Sequence, residues 1–158
     1  LINIGGDIFT YGKDLENEYD YWTVEIEDPF DYNIKNSTKD DLYPRIENES
    51  NFEMPMLIIS SMGVATSGVN KRHWTINNQT KNHLIDPSKN KSIENNLLCA
   101  TVIGTDTTFC DIYAKVLMIL GLQKAIDYCN INNISAILVT KSKDIFISES
   151  AKKYVWRE

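Results

Sequence analysis

The sequence predicts an α+β fold, mainly an antiparallel sheet with a few packed helices. Three observations lead there. Short apolar stretches follow one another with only turn residues between them, the pattern of strands joined as hairpins. One segment of clear helical period runs over residues 105–120, with a shorter one behind it. The composition is ordinary globular, with 158 residues, 42% hydrophobic and 24% charged, so a real core can be buried.

The elements follow in order. Residues 1–12 read as two short strands broken at Gly5-Gly6, where positive φ or close backbone approach is available. Residues 21–27 alternate, with Trp22, Val24 and Ile26 on one face and Thr23, Glu25 and Glu27 on the other. That is a half-buried strand, ended by Asp28-Pro29. Residues 31–53 are acidic and Asn-rich, and read as a surface loop or insertion. Residues 56–59 form a buried strand that continues at 64–66, and a further strand at 72–76 ends in a turn at Asn77-Asn78. Residues 83–87 lead into a polar turn at 88–90, and 97–103 are the next strand. In the main helix, Phe109, Ile112, Tyr113, Val116, Leu117 and Leu120 make an apolar stripe, and Gly121 stops it. A second helix is expected at 123–130. Strands at 134–140 and 144–147 form a hairpin, and Ser148 is a candidate cap for a helical tail.

Charge is uneven. Residues 1–53 carry a net −10 and residues 54–158 a net +4, giving −6 for the chain. Such an acidic chain lacks the basic footprint of a nucleic-acid binder, although the second part can receive a small anion. No apolar run reaches the roughly 18 residues that span a bilayer, and no export signal is visible, so the compartment is left open. Cys99, Cys110 and Cys129 form no CxxC pair and read as buried thiols.

Three clusters stand out. Asn3–Ile8 holds the Gly-Gly pair, which either presents backbone N–H groups to a phosphate or flat ring or makes a tight turn. Ala65-Thr66-Ser67-Gly68 precedes His83-Leu84-Ile85-Asp86-Pro87. Its hydroxyls and imidazole suit a ligand cleft, while the Asp-Pro suits a loop corner. Asp111 and Lys115, four apart on the main helix, are either a surface ion pair or a metal-holding carboxylate near a helix start that faces a diphosphate.

Taken together and in order, these pieces resemble the ApbE family, the FAD:protein FMN transferases. The matching segments are residues 1–8, 22–29, 65–68, 83–87 and 101–103, then 110–115 and 120–121. The resemblance implies an ApbE-like (T-fold-like) domain of which residues 1–158 are the C-terminal part, with the N-terminal half absent. It implies Mg²⁺-dependent transfer of FMN from FAD to a Thr of an acceptor protein, with release of AMP. It makes His83 and Asp111 catalytic, and Asp111 the metal carboxylate. Gly5, Gly6, Thr66, Ser67, Gly68, His83 and Lys115 would contact the cofactor. The implied partners are FAD, the acceptor and the missing half, on this chain or another. Two positions depart from the family pattern: Lys115 stands where many members carry a Thr, and the turn after Pro87 has no Gly. Two other functions fit the same residues. One is hydrolysis of FAD to FMN and AMP, and the other is a non-catalytic flavin-binding or structural remnant.

Overall fold

The computed structural model describes residues 1–15, 19–30 and 52–156. Most of the expected acidic loop, residues 31–51, lies outside them. Twelve strands alternate with turns and two helices among these residues. The core is a six-stranded sheet, antiparallel throughout, in the order β1 (Ile2–Ile4), β2 (Asp7–Phe9), β5 (Gly63–Gly68), β10 (Leu97–Gly104), β11 (Ser135–Thr140), β12 (Ile145–Ile147). The α+β expectation holds.

Alternation along β5 and β10 sends apolar side chains to both faces. On one face, Ala65, Ala100 and Val102 pack with α1 (Thr107–Leu120) and α2 (Leu122–Asn132). On the other, Val64, Ile103 and Ile137 pack under a separate ribbon, β3 (Trp22–Glu25) with β4 (Met56–Ile59), and a 3-10 helix at Glu149–Tyr154. A central strand covered on both sides is mostly apolar, and β10 is buried over all but its last residue, its one polar side chain, Thr101, being paired with Thr66.

The two-residue turns were legible in the sequence. Gly5 and Gly6 take positive φ between β1 and β2, and Asn77 and Asn78 do the same between β6 (His73–Ile76) and β7 (Gln79–Asn82). A small hairpin, β8 (Ile85–Asp86) with β9 (Lys91–Ser92), surrounds the 88–90 turn. Gly121, at φ 76°, closes α1 as expected.

Three expectations are corrected. The main helix starts at Thr107 rather than 105, because the Asp106 side chain caps it by accepting from the Phe109 N–H at 3.0 Å. Its buried residues are Cys110, Ala114, Leu117 and Met118; of the predicted stripe Leu117 is buried and Tyr113 and Leu120 pack partly on the core, whereas Phe109 and Ile112 are exposed. Small side chains at 110 and 114 let the helix backbone approach the sheet. A Cβ on Gly63 would lie 2.7 Å from the Thr107 amide nitrogen. Ser148 does not cap the tail. Its hydroxyl donates to the Ile134 carbonyl and accepts from the Ala136 N–H, both at 2.9 Å, pinning the 3-10 helix to β11. Cys99, Cys110 and Cys129 are free and buried, as expected.

Candidate functional site

Strand lengths create the site. β2 pairs with β5 only at Ile8–Val64 and Phe9–Gly63, whereas β5 runs on to Gly68. Beyond Val64 that edge of β5 has no strand beside it among the described residues, and its backbone groups face a notch in the sheet. A cleft of about 730 Å³ fills the notch. The β1–β2 turn forms one wall and α1 another, with the exit of β3 across from them.

All eight residues singled out in the sequence border this cleft: Gly5, Gly6, Thr66, Ser67, Gly68, His83, Asp111 and Lys115. The Gly-Gly cluster is both a tight turn and a cleft wall, since the Gly6 N–H donates to Asn3 Oδ1 at 3.0 Å and sets the turn. The Thr66 hydroxyl lies 2.8 Å from that of the buried Thr101 and is anchored there. Gly68 is held close: a Cβ would come within 2.9 Å of Asn70 Oδ1 and 3.1 Å of the Leu98 carbonyl. Asn70 is buried and donates to the Pro29 carbonyl at 2.8 Å, tying the end of β5 to the corner after β3.

The helix-start reading needs a correction. Asp106 and Thr107 do not border the cleft, and the first-turn amides are turned to Asp106. The hydrogen bond from the Phe109 amide, with that from Thr108, holds the Asp106 carboxyl below its usual range. What α1 offers the cleft is its second turn, Asp111 and Lys115, whose side chains are in direct contact and half exposed. His83 and Asp86 are not brought together. His83 is exposed at the rim, with Nδ1 3.3 Å from the Arg72 carbonyl. Asp86 is the loop corner, accepting from the Ser88 hydroxyl at 2.6 Å and amide at 2.9 Å and pairing with Lys89 at 3.0 Å. The hydrogen bond from the Ser88 hydroxyl leads in lowering its pKa to about 2, followed by Lys89.

Sequence reasoning missed Asn70, Lys71 and Arg72 at the cleft. The available signal was a polar, basic run placed directly after the small residues of β5. Lys71 reaches across to Glu27, which with Glu25 is an outward residue of the β3 segment. Cys99 also touches the cleft, but burial, with the Asp28 charge adding to it, pushes its thiol up to about 12, so it is no nucleophile at neutral pH. The lining thus mixes the carboxylates of Asp7, Glu25, Glu27 and Asp111 with the cations of Lys71, Arg72 and Lys115. Among the described residues no three His, Cys, Asp or Glu side chains converge as a ready metal cage. Cations on flexible stems and one carboxylate on a helix suit a phosphate-bearing ligand.

Comparison with known proteins gives a consistent picture. The ApbE family model matches residues 1–138. A FAD:protein FMN transferase of Klebsiella pneumoniae is 29% identical over 149 residues, covering 94% of this chain and 39% of that protein. Its namesake in Escherichia coli is 26% identical, covering 92% and 36%. Among solved structures, the Pseudomonas stutzeri flavinyl transferase ApbE superposes with a TM-score of 0.69 at 21% identity, and the Thermotoga maritima ApbE protein with 0.71 at 20%. They cover 98% and 97% of this chain and 43% of each relative. The chain thus spans about two fifths of the relatives' length.

Proposed function

The chain belongs to the ApbE family, and from that premise we propose that it forms part of a flavin transferase site that binds FAD and passes FMN to a Thr of an acceptor protein, releasing AMP. The observation that carries this reading is the convergence of all eight family-implied residues on one cleft. On this reading residues 1–158 are the C-terminal part of the transferase domain, and the remaining part completes the cleft.

The cleft lining supports the following roles. Arg72 and Lys115 meet the diphosphate, and the turn at Gly5-Gly6 and the edge of β5 at Thr66–Gly68 lie against the cofactor. His83 has Nδ1 directed at a backbone carbonyl, which leaves Nε2 for the substrate. It takes the proton of the acceptor hydroxyl as that oxygen bonds to the FMN-side phosphorus. The bond from phosphorus to the AMP oxygen breaks, and AMP carries away the electron pair.

Mg²⁺ commonly takes one or two carboxylates, with substrate phosphate oxygens and water completing its shell. Asp111 fits that role: it is half exposed, sits on a helix and faces the cleft, and Lys115 beside it would be free to meet phosphate if a metal took its place on the carboxylate. When bound, the metal would neutralise charge on the diphosphate. The Asp111–Lys115 contact also favours a second reading, a flavin-binding module without metal or transfer.

The test uses the longest native polypeptide containing these residues, with FAD, MgCl₂ and a Thr-bearing acceptor protein. Transfer predicts flavin fluorescence on the acceptor band of a denaturing gel and an equal amount of AMP. FMN and AMP free in solution indicate hydrolysis instead. FAD bound but unchanged indicates the binding module.

A further inference from the structure

α1 is apolar nearly all round. Asp111 and Lys115 are its only charged residues, and both stand at the cleft. Cys110, Ala114 and Leu117 face the sheet. Ile112, Val116 and Ile119 follow each of these by two positions, about 200° further round the helix. They therefore form a second apolar stripe on the opposite side, where Ile112 is 52% exposed. A helix with two apolar faces belongs in an interior; on this second side Ile119 packs partly against the core and Val116 is half-buried, while Ile112 stands open among the described residues.

The sheet edge nearby shows the same deficit. β1 is the end strand, uncharged and exposed along its length, with an open row of backbone groups. Pairing through Ile8 and Val64 puts Asn3 on the ribbon side. That places Ile2 and Ile4, 63% and 74% exposed, on the side that carries α1. Exposed edges are ordinarily protected by charge, proline or a cover, and this one has none of these in its own residues.

The comparisons indicate what covers it. Solved relatives superpose on nearly all of this chain, which is only 43% of theirs. More than half of each relative is chain beyond the part that superposes. We propose that the outer side of α1 around Ile112, with Ile2 and Ile4 of β1, is the docking face for that remaining part of the ApbE fold, which lays apolar side chains on Ile112 and adds a strand beside β1. This rests on family membership and not on the flavin chemistry.

Thiol labelling tests it. The three native cysteines are buried, so an introduced cysteine reports alone on the folded chain. Ile112→Cys and Ile4→Cys variants of the 158-residue chain should react with Ellman's reagent as fast as the exposed α2 control Lys124→Cys. The same two substitutions should react at least tenfold more slowly in a chimera in which these 158 residues replace the matching segment of the Klebsiella relative, with the control unchanged. Cysteine at the position aligned with Ile112 in the intact Klebsiella protein provides the same readout without a chimera, and should be equally protected. Rapid labelling in both longer proteins would overturn the proposal. So would protection in the 158-residue chain that grows with its concentration and tracks a doubled mass in sedimentation, since the occupant would then be a second copy.

Discussion

Asp111→Asn separates a structural role for this residue from a ligand-binding one. The substitution keeps the shape of the side chain and removes its charge. Its structural contribution is small: the contact with Lys115 is an i, i+4 helix pair, half exposed at both ends. Such pairs contribute about 0.3–0.5 kcal/mol. A chain of this size shifts by about 2–4 °C per kcal/mol, so the melting temperature should fall by about 1–2 °C. The effect on ligands is of a different order. Asp111 is the one α1 carboxylate facing the cleft, and no cage of three acidic, His or Cys groups stands behind it among the described residues. Losing it should weaken Mn²⁺ binding in the presence of ADP by about tenfold or more, equivalent to about 1.4 kcal/mol. Mn²⁺ line broadening and a thermal melt on the same samples give both numbers. Unchanged broadening with a drop of only 1–2 °C would make Asp111 a surface ion pair and nothing more. A drop of about 10 °C would refute the reasoning at its base, because the pair would then be structural.

The remaining predictions address separate parts of the account. Lys115→Met should act in opposite directions on the two ligands, strengthening Mn²⁺ binding by freeing Asp111 and weakening ADP binding by removing a phosphate contact. A change of the same sign in both would sink the role given to Lys115. Gly63→Ala should cost about 1–3 kcal/mol in a denaturant titration, because the added Cβ meets backbone atoms of Thr107 at 2.7 and 2.9 Å that cannot rotate away. A cost below about 0.5 kcal/mol would mean that α1 does not approach β5 as described. The Asp86 carboxyl, lowered to about 2 by the Ser88 hydroxyl and then Lys89, stabilises the fold fully above its unfolded value near 3.8 and loses that contribution as pH falls toward 2. Ser88→Ala should move its NMR titration midpoint upward, and a wild-type midpoint near 4 would contradict the corner geometry.

Much of the fold was legible because its turns carry their own chemistry. Gly5-Gly6 and Asn77-Asn78 announce two-residue hairpins through residues that tolerate positive φ. Gly121 announces the end of α1 in the same way. The orientation of α1 was only partly legible, with Leu117 read correctly as core. An apolar count favours Phe109 and Ile112, but the sheet selects Cys110 and Ala114, whose small side chains allow the backbone to come close. Ser148 was misread because a serine before a helix suggests a local cap, while this hydroxyl is spent on β11 across a tertiary contact. The site residues were legible as separate segments. Their meeting place depends on β5 running past the end of β2, a matter of register that no single segment encodes. Arg72 was passed over for a related reason, since the basic run that holds it is no motif and it reaches the cleft only because the β6–β7 hairpin starts at the rim.

The most direct test of the central claim is a ¹⁵N NMR titration of the 158-residue chain with FAD, which reads even weak binding residue by residue. The account predicts saturable shifts at the amides of Gly5, Gly6, Thr66, Ser67, Gly68 and His83, with Asn133 at the far end of α2 unmoved. Saturable shifts elsewhere, or none at the cleft at millimolar FAD, would contradict it.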